Sequence, residues 1–231
     1  MTGFRTDDRE VHPPLRSPDY RSTRLRVPLA APIPWAHGTT ETTGPDFSQL
    51  ELDEVDSDLT RQCKGEPLGE RIAVSGRIVD EDGRPLAGQL VEIWQANAAG
   101  RYAHPVDQHA APLDPNFAGA GRCMSDAEGC YRFVTIKPGA YPWQNHTNAW
   151  RPAHIHFSLF GPAFATRLVT QMYVPGDPLL ELDPIYLAVP AHARERLLAR
   201  FDLATTRPEW ALGYRFDLVL RGRDATPASS R

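Results

Sequence analysis

The amino-acid sequence predicts a mainly β protein: an antiparallel β-sandwich with a long extended N-terminal arm and one short C-terminal helix. Three observations carry this. After about residue 70 the chain is a succession of short runs rich in Val, Ile, Phe and Tyr, each bounded by Gly, Pro or Asp. One stretch, "PAHARERLLARFD" (190–202), has a helical pattern, opened by a proline as a helix start allows. The first 69 residues are rich in Pro and Asp and follow the period of neither strand nor helix. Many strands with little helix suit two packed antiparallel sheets or a barrel.

The elements follow in order. "HPPLRSPDY", "VPLAAPIPW" and "ETTGPDFSQLELDEVDSDLT" make residues 1–69 an extended arm with short turns. Ile33, Trp35, Phe47 and Leu50 are large apolar groups spread along it, which points to packing on another surface and not to disorder. Residues 70–231 form the sandwich domain. "RIAVSGRIVDEDGRPLAGQLVEIWQAN" reads strand, turn, strand, with Asp82-Gly83-Arg84-Pro85 as the turn. "GCYRFVTI", "AHIHFSLF", "RLVTQMYV" and "YRFDLVLRG" add further strands, and the tail "RDATPASSR" is expected to fray.

Composition narrows the function classes. The chain has 231 residues, 41% hydrophobic content, a net charge of −4 and a pI near 6.1, so it lacks the basic surface that nucleic acid or an anionic membrane would ask for. No apolar run approaches the roughly 20 residues that cross a bilayer. The polar start "MTGFRTDDREVHPP" is unlike a secretory signal, and the cytoplasm is the expected compartment. Cys63, Cys123 and Cys130 have no CxxC spacing and read as reduced thiols, neither a disulfide framework nor a zinc-thiolate site.

The segment "WRPAHIHFSLFG" (150–161) carries His154 and His156. Side chains at i and i+2 of a strand share a face, so the two imidazoles form a pair and Ile155 turns away. Either one histidine belongs to the core and the other is incidental, or the pair is half of a metal site. Zinc would ask for a third His, Cys or carboxylate, and a facial Fe(II) triad for a carboxylate. Between Trp150 and Leu180 the only carboxylate is Asp177, in the turn "VPGDP". The surroundings are aromatic and cationic instead. "KPGAYPWQN" holds Tyr141 and Trp143, and "WQANAAGRYAH" places Tyr102 just past a strand end. A strongly Lewis-acidic cation removes a phenol's proton, and phenolate is a hard anionic donor that suits Fe(III).

In this order and spacing, "GRYAH", "GAYPWQN", "RPAHIHF" and "TQMYVPGDP" resemble the intradiol ring-cleaving dioxygenases. "ETTGPDFSQL", "APLDPNFAGAGRC" and "YRFDLVLRG" further resemble the β chains of the two-chain members that cleave protocatechuate. The resemblance runs from about Pro18 to Gly222. It implies a non-haem Fe(III) held by Tyr102, Tyr141, His154 and His156, with Tyr141 and His154 as the axial pair. It implies O2-dependent opening of protocatechuate between its two hydroxyl-bearing carbons, giving 3-carboxy-cis,cis-muconate, in aromatic catabolism by the β-ketoadipate route. Residues 70–231 are then the catalytic domain. Tyr141 would take up a substrate proton, and Arg151 would stabilise negative charge at the ring carbon that meets oxygen. Gln171 would face the same pocket, with Tyr20, Trp94 and Trp143 as its walls.

The resemblance also implies a homologous α chain, in an (αβ)n hetero-oligomer, that completes the pocket and contacts the substrate carboxylate. Ala103 and His109 depart from the family's common pattern and bear on substrate range. His12, His37, His104, His109, His146 and His192 lack a metal-like spacing and read as solvent-facing or local hydrogen bonders. Competing readings are a catechol or hydroxyquinol 1,2-dioxygenase and a non-enzymatic β-sandwich binding module. The first would begin with a helical dimerisation domain, unlike residues 1–69. A cupin-like site would need a Glu shortly after the histidine pair.

Overall fold

The computed structural model describes residues 9–17, 19, 27–30, 47, 50–144, 147, 150–160 and 167–229. Within them run the strands β1 (Arg71–Val79), β2 (Leu90–Gln95), β3 (Ala120–Met124), β4 (Cys130–Ile136), β5 (Tyr141–Pro142) and β6 (Trp150–Arg151). The chain continues through β7 (His154–Phe160), β8 (Arg167–Tyr173), a five-residue helix α1 (Pro184–Ala188), β9 (Arg200–Phe201), β10 (Leu212–Arg215) and β11 (Leu218–Val219). One sheet is centred on β1, antiparallel to β4 on one side and parallel to β10 and β11 on the other. The second has the order β3-β2-β7-β8, antiparallel throughout. The two sheets pack as the sandwich that the sequence predicts, with a parallel join at β1 as an added feature.

The core lies between the sheets and has the period of two that a half-buried strand requires. Ile72, Val74 and Ile78 of β1 meet Val91 and Ile93 of β2 and Ile155, Phe157 and Leu159 of β7. Phe157 makes ring contacts with Phe133 at 5.7 Å and Phe216 at 5.2 Å, tying sheet to sheet. Alternation then decides where the histidines go. Since Ile155, Phe157 and Leu159 point into the sandwich, His154 and His156 stand on the outer face of the second sheet. That face carries its own smaller core, with Tyr173, Leu180, Tyr186, Val189 and Leu197.

Several elements differ from the sequence reading. The two strands of "RIAVSGRIVDEDGRPLAGQLVEIWQAN" lie in different sheets, so the turn at Gly83 crosses the sandwich. "YRFDLVLRG" is broken into β10 and β11, and β1 meets the break at Gly76, where a β-carbon would stand 1.8 Å from the Phe216 carbonyl oxygen. The 190–202 stretch is a 3-10 turn over Ala191–Leu197, followed by β9. Ala199 N donates to Tyr173 O at 3.0 Å, drawing the chain out of the helix and onto β8. The short α-helix is α1 instead, opened by Asp183 and Pro184.

The tail does not fray. Ala225, Thr226 and Ala228 are buried. Thr170 Oγ1 donates to Pro227 O at 2.7 Å, Ser229 N to Val169 O at 2.9 Å, and Ala228 N to His12 Nδ1 at 3.1 Å. His12 is accordingly buried and bonded far across the sequence, not solvent-facing. Small side chains fit the groove beside β8, and the backbone there finds partners. In the arm, Phe47 packs its ring on Phe160 at 5.6 Å and Leu59 is wholly buried in the main core. Ile33, Trp35 and Tyr20 lie outside the described residues, as do His37 and His146.

Candidate metal centre

The second sheet sets a row of side chains on its outer face. Trp94 of β2, His156 of β7 and Gln171 of β8 are direct cross-strand neighbours, and His154 lies opposite Tyr173 one pair further on. The Trp94 and His156 rings are stacked, 4.7 Å apart and 4° from parallel. His154 and His156 meet edge to face at 4.8 Å. His154 Nδ1 lies 2.7 Å from Pro152 O. A carbonyl only accepts, so Nδ1 carries the proton and Nε2 presents its lone pair to the site. Burial, then the Arg151 charge, holds His154 well below the usual imidazole range; burial and His154 do the same to His156. Both rings are therefore neutral, the state in which imidazole donates to a metal.

Two loops bring in the phenols. Past β2, Asn97 Oδ1 accepts the N–H groups of Ala99 and Arg101 at 3.0 and 2.9 Å, closing the turn before Tyr102. Asn97 O also accepts from Gly139 N at 2.9 Å, joining this turn to the loop before Tyr141. The join is backbone on backbone. A β-carbon on Gly100, which has φ 78°, would stand 2.0 Å from Ala140 O, and one on Gly139 would stand 2.4 Å from Ala98 O. Two residues past each glycine comes a tyrosine. The Tyr102 and Tyr141 rings meet edge on at 5.3 Å, and Tyr141 reaches His154 at 5.4 Å and Tyr102 reaches His156 at 6.4 Å. Asp107 Oδ2 accepts from Tyr102 N at 2.7 Å and fixes that end of the loop.

The donor set fits a hard cation. The Tyr102 hydroxyl is buried with no hydrogen-bond partner among the described residues. Burial, with Tyr141 beside it, pushes its pKa well above the usual phenol value. Such an oxygen is unsatisfied as a phenol and becomes a strong ligand once a cation displaces its proton. Tyr141 Oη lies 3.4 Å from His154 Nε2, so the two hydrogen-bonding atoms already face one point. No group of three His, Cys, Asp or Glu residues comes together among the described residues, so any metal here would be held by phenol and imidazole donors. Two anionic oxygens and two neutral nitrogens suit a trivalent ion.

Arg151 lies beneath these donors and is 2% exposed. Its pair with Asp183 is two-pronged: Nε to Oδ1 at 3.1 Å and Nη2 to Oδ2 at 2.8 Å. Nη2 also lies 2.8 Å from Gln171 Oε1 and 3.0 Å from the Tyr173 hydroxyl. Nη1 stands 3.3 Å from His154 Nε2 and 3.5 Å from Tyr141 Oη. Burial works against the charge, but Tyr173, Asp183 and Tyr141 outweigh it and hold the guanidinium ionised. The Trp143 ring lies 5.4 Å from the guanidinium carbon, and Gln171 Nε2 lies 3.4 Å from His156 Nδ1.

The structure thus gathers Tyr102, Tyr141, His154, His156, Arg151, Trp94, Trp143 and Gln171 into one cluster; Tyr20 lies outside the described residues. Sequence reasoning missed Asp183 and Tyr173. Asp183 before Pro184 signals a helix cap, which it is, accepting from Ile185 N at 3.4 Å, and nothing in that local pattern points to Arg151. Asp177 also has a structural task, since its Oδ2 accepts from Ala153 N at 2.8 Å and holds the turn that leads into His154.

The sequence matches the family model described as "Dioxygenase" over residues 42–222, and that described as "Protocatechuate 3,4-dioxygenase beta subunit N terminal" over residues 4–37. It is 62% identical over 218 residues to the protocatechuate 3,4-dioxygenase beta chain of Burkholderia cepacia, covering 94% of this chain and 93% of that one. It is 33% identical over 145 residues to hydroxyquinol 1,2-dioxygenase of Rhizobium sp. (strain MTP-10005), of which it spans 46%. The fold is similar to that of catechol 1,2-dioxygenase from Pseudomonas arvilla C-1, with TM-score 0.53 and 28% identity over 74% of this chain and 59% of that one. It is also similar to the dioxygenase domain of a carbohydrate-binding fusion from Streptomyces sp. SirexAA-E, with TM-score 0.52 and 27% identity over 78% of this chain and 98% of that one.

Proposed function

The chain belongs to the intradiol dioxygenase family, its dioxygenase model matched over residues 42–222, and from that premise we propose that it is the iron-binding β chain of an enzyme that opens protocatechuate (3,4-dihydroxybenzoate) with O2. The product is 3-carboxy-cis,cis-muconate; both oxygen atoms enter it, and the bond between the hydroxyl-bearing carbons breaks. The reaction belongs to aromatic catabolism by the β-ketoadipate route. The observation that carries the reading is the convergence of Tyr102, Tyr141, His154 and His156 on one sheet face. The match of residues 4–37 to the β-subunit model favours protocatechuate over catechol or hydroxyquinol.

Tyr102, Tyr141, His154 and His156 would hold a non-haem Fe(III). When bound, that ion supplies the Lewis acidity that favours the catecholate dianion and leaves the ring electron-rich toward O2. The chain's own residues then have distinct tasks. Tyr141 Oη, within reach of Arg151 Nη1 at 3.5 Å, would take up one catechol proton, and the second would leave to solvent. Arg151 is a fixed positive charge at the edge of the site, placed to stabilise negative charge that grows on the attacked ring carbon. Trp94 holds the His156 ring flat by stacking, and Trp143 covers Arg151. Gln171 bridges Arg151 and the His156 edge.

A homologous α chain is the proposed partner, in an (αβ)n assembly, with residues 70–231 as the catalytic domain and residues 1–69 as the arm packing on the partner, anchored to its own domain through Phe47 and Leu59. No helix among the described residues is long and apolar enough to cross a membrane. A cytoplasmic setting is part of the proposal, and the free state of Cys63, Cys123 and Cys130 suits a reducing compartment.

The test is the visible spectrum of the protein, coexpressed with its α chain, before and after anaerobic protocatechuate. A red-brown tyrosinate-to-iron band that shifts with substrate is the expected result. A protein that stays colourless after iron reconstitution overturns the ligand set.

A further inference from the structure

Beneath the donor cluster is a carboxylate that the proposed chemistry does not use. Asp183 is fully buried, at 0% exposure, and opens α1 (Pro184–Ala188). We infer that Asp183, braced by Tyr173, is a positioning residue that aims Arg151 at the donors and balances its charge; the inference rests on the function proposed above.

The geometry divides the guanidinium in two. Asp183 takes the Nε–Nη2 edge, at 3.1 and 2.8 Å, which leaves Nη1 as the nitrogen outside the pair. Nη1 is the nitrogen that faces His154 Nε2 at 3.3 Å and Tyr141 Oη at 3.5 Å. A planar fork clamped along one edge has no freedom to rotate the remaining nitrogen away. Tyr173 locks the carboxylate from the side, its hydroxyl 2.9 Å from Asp183 Oδ2 and 2.7 Å from Gln171 Oε1. The two-residue β6 alone would hold Arg151 loosely; α1 delivers the group that fixes it.

Charge gives the second reason. A buried guanidinium beside four ligands meant for a trivalent cation would repel that cation. Arg151 with Asp183 is neutral in sum, and its positive end points at the site. The pair therefore stabilises negative charge near Tyr141 without adding net positive charge to the ligand pocket.

The test compares wild type, Asp183→Asn, Tyr173→Phe and the double variant Arg151→Gln/Asp183→Asn, each coexpressed with the α chain. Iron per chain, the wavelength of the tyrosinate band, and kcat and KM for protocatechuate are measured, with thermal melts beside them. Asp183→Asn should lower iron content and shift the band, and reduce kcat by roughly 10- to 100-fold, a usual effect of removing an outer-sphere partner. KM should change far less. Tyr173→Phe should show the same pattern in milder form, and it serves where Asp183→Asn fails to fold. In the double variant, with both charges gone, iron content and band position should return toward wild type while turnover stays low; a merely structural role would not give that rescue. Wild-type iron content and an unshifted band in both single variants, with activity falling only as the melting temperature falls, would overturn the inference. A wild type without any iron band fails differently: it refutes the function on which the inference rests.

Discussion

Gly100 takes φ 78° and has the Ala140 carbonyl oxygen where a β-carbon would go, 2.0 Å away. Gly83 has the same φ of 78° and nothing within 4 Å of that position. The contrast separates two costs. Gly83→Ala should lose only the left-handed backbone penalty, about 1 kcal/mol. Gly100→Ala must also part the two tyrosine loops and should lose about 2–3 kcal/mol, measured by denaturant melts. It should also weaken the tyrosinate band, which Gly83→Ala should leave alone. The cysteines give a second prediction. Burial pushes the Cys123 thiol up to about 12, whereas Cys130 is exposed. At pH 8 Cys123 holds about one part in ten thousand as thiolate, so a disulfide reagent should modify Cys130 and spare Cys123 in the native protein. The sign of the pH effect follows: keeping this thiol neutral stabilises the fold fully below the unfolded value near 9.0, and that contribution is lost as pH rises from there toward 12. A pH series of melts on wild type and Cys123→Ala checks it. Of the candidate site, the histidine pair was legible at this scale, because His154 and His156 at i and i+2 must share a face; Tyr102 and Tyr141 were named through the family resemblance, since a lone tyrosine in a loop looks the same whether it packs or binds. Asp183 was not legible: its contact with Arg151 spans 32 positions, and a helix cap and a buried ion-pair partner look alike in sequence.

At the scale of elements, the strands that sequence predicted are those rich in β-branched and aromatic residues and bounded by turn residues, such as β4 (Cys130–Ile136) and β7 (His154–Phe160). β3 (Ala120–Met124) was missed because "AGRCM" is poor in β-branched residues and gains its place by pairing with β2. The 190–202 stretch has helical composition, but Ala199 pairs with Tyr173 O and tertiary contact wins over propensity. The tail misled in the opposite sense. Small and polar residues read as frayed, yet here they fill a groove: Thr226 N donates to Val219 O at 2.9 Å and Ser229 N to Val169 O at 2.9 Å. Deleting residues 224–231 should leave His12, Thr170 and the edge of β8 without these partners. The expected loss is about 2–4 kcal/mol, from unsatisfied groups and exposed apolar surface. For a chain of this size that is a fall of roughly 5–15 °C in melting temperature. Amide exchange should speed up at Val219, whose N–H donates to Thr226 Oγ1 at 3.0 Å in the full chain, and along β8 if only this edge loosens. A truncated protein that melts like the full chain would mean that the tail packs without stabilising.

At the scale of the whole molecule, the sandwich is a platform and the chemistry sits outside it. His154 and His156 come from the outer face of the second sheet, Tyr102 from the loop after β2, and Tyr141 from the short β5. The sandwich class was legible because it depends only on period and turn residues, whereas the location of the site on an outer face depends on which strands become neighbours. Four donors on three separate segments would make a bound ion a cross-link, and this gives the last prediction. Metal that binds the folded chain and not the unfolded one stabilises by RT ln(1 + [L]/Kd), about 4 kcal/mol at a thousandfold excess over Kd. Protein stripped of iron by a chelator should therefore melt roughly 8–16 °C lower than reloaded protein. The loss should not be uniform. The main core between β1, β4, β2 and β7 is complete without metal, as Phe157, Phe133 and Phe216 pack whether or not the outer face is filled. Hydrogen exchange should rise at residues 97–102 and 139–142 on iron removal and stay low in β4 and at Ile155 and Phe157. Uniform loss of protection would mean that the ion supports the whole fold. No change at either tyrosine loop would mean that the phenols do not reach it, and the donor set would shrink to the two histidines.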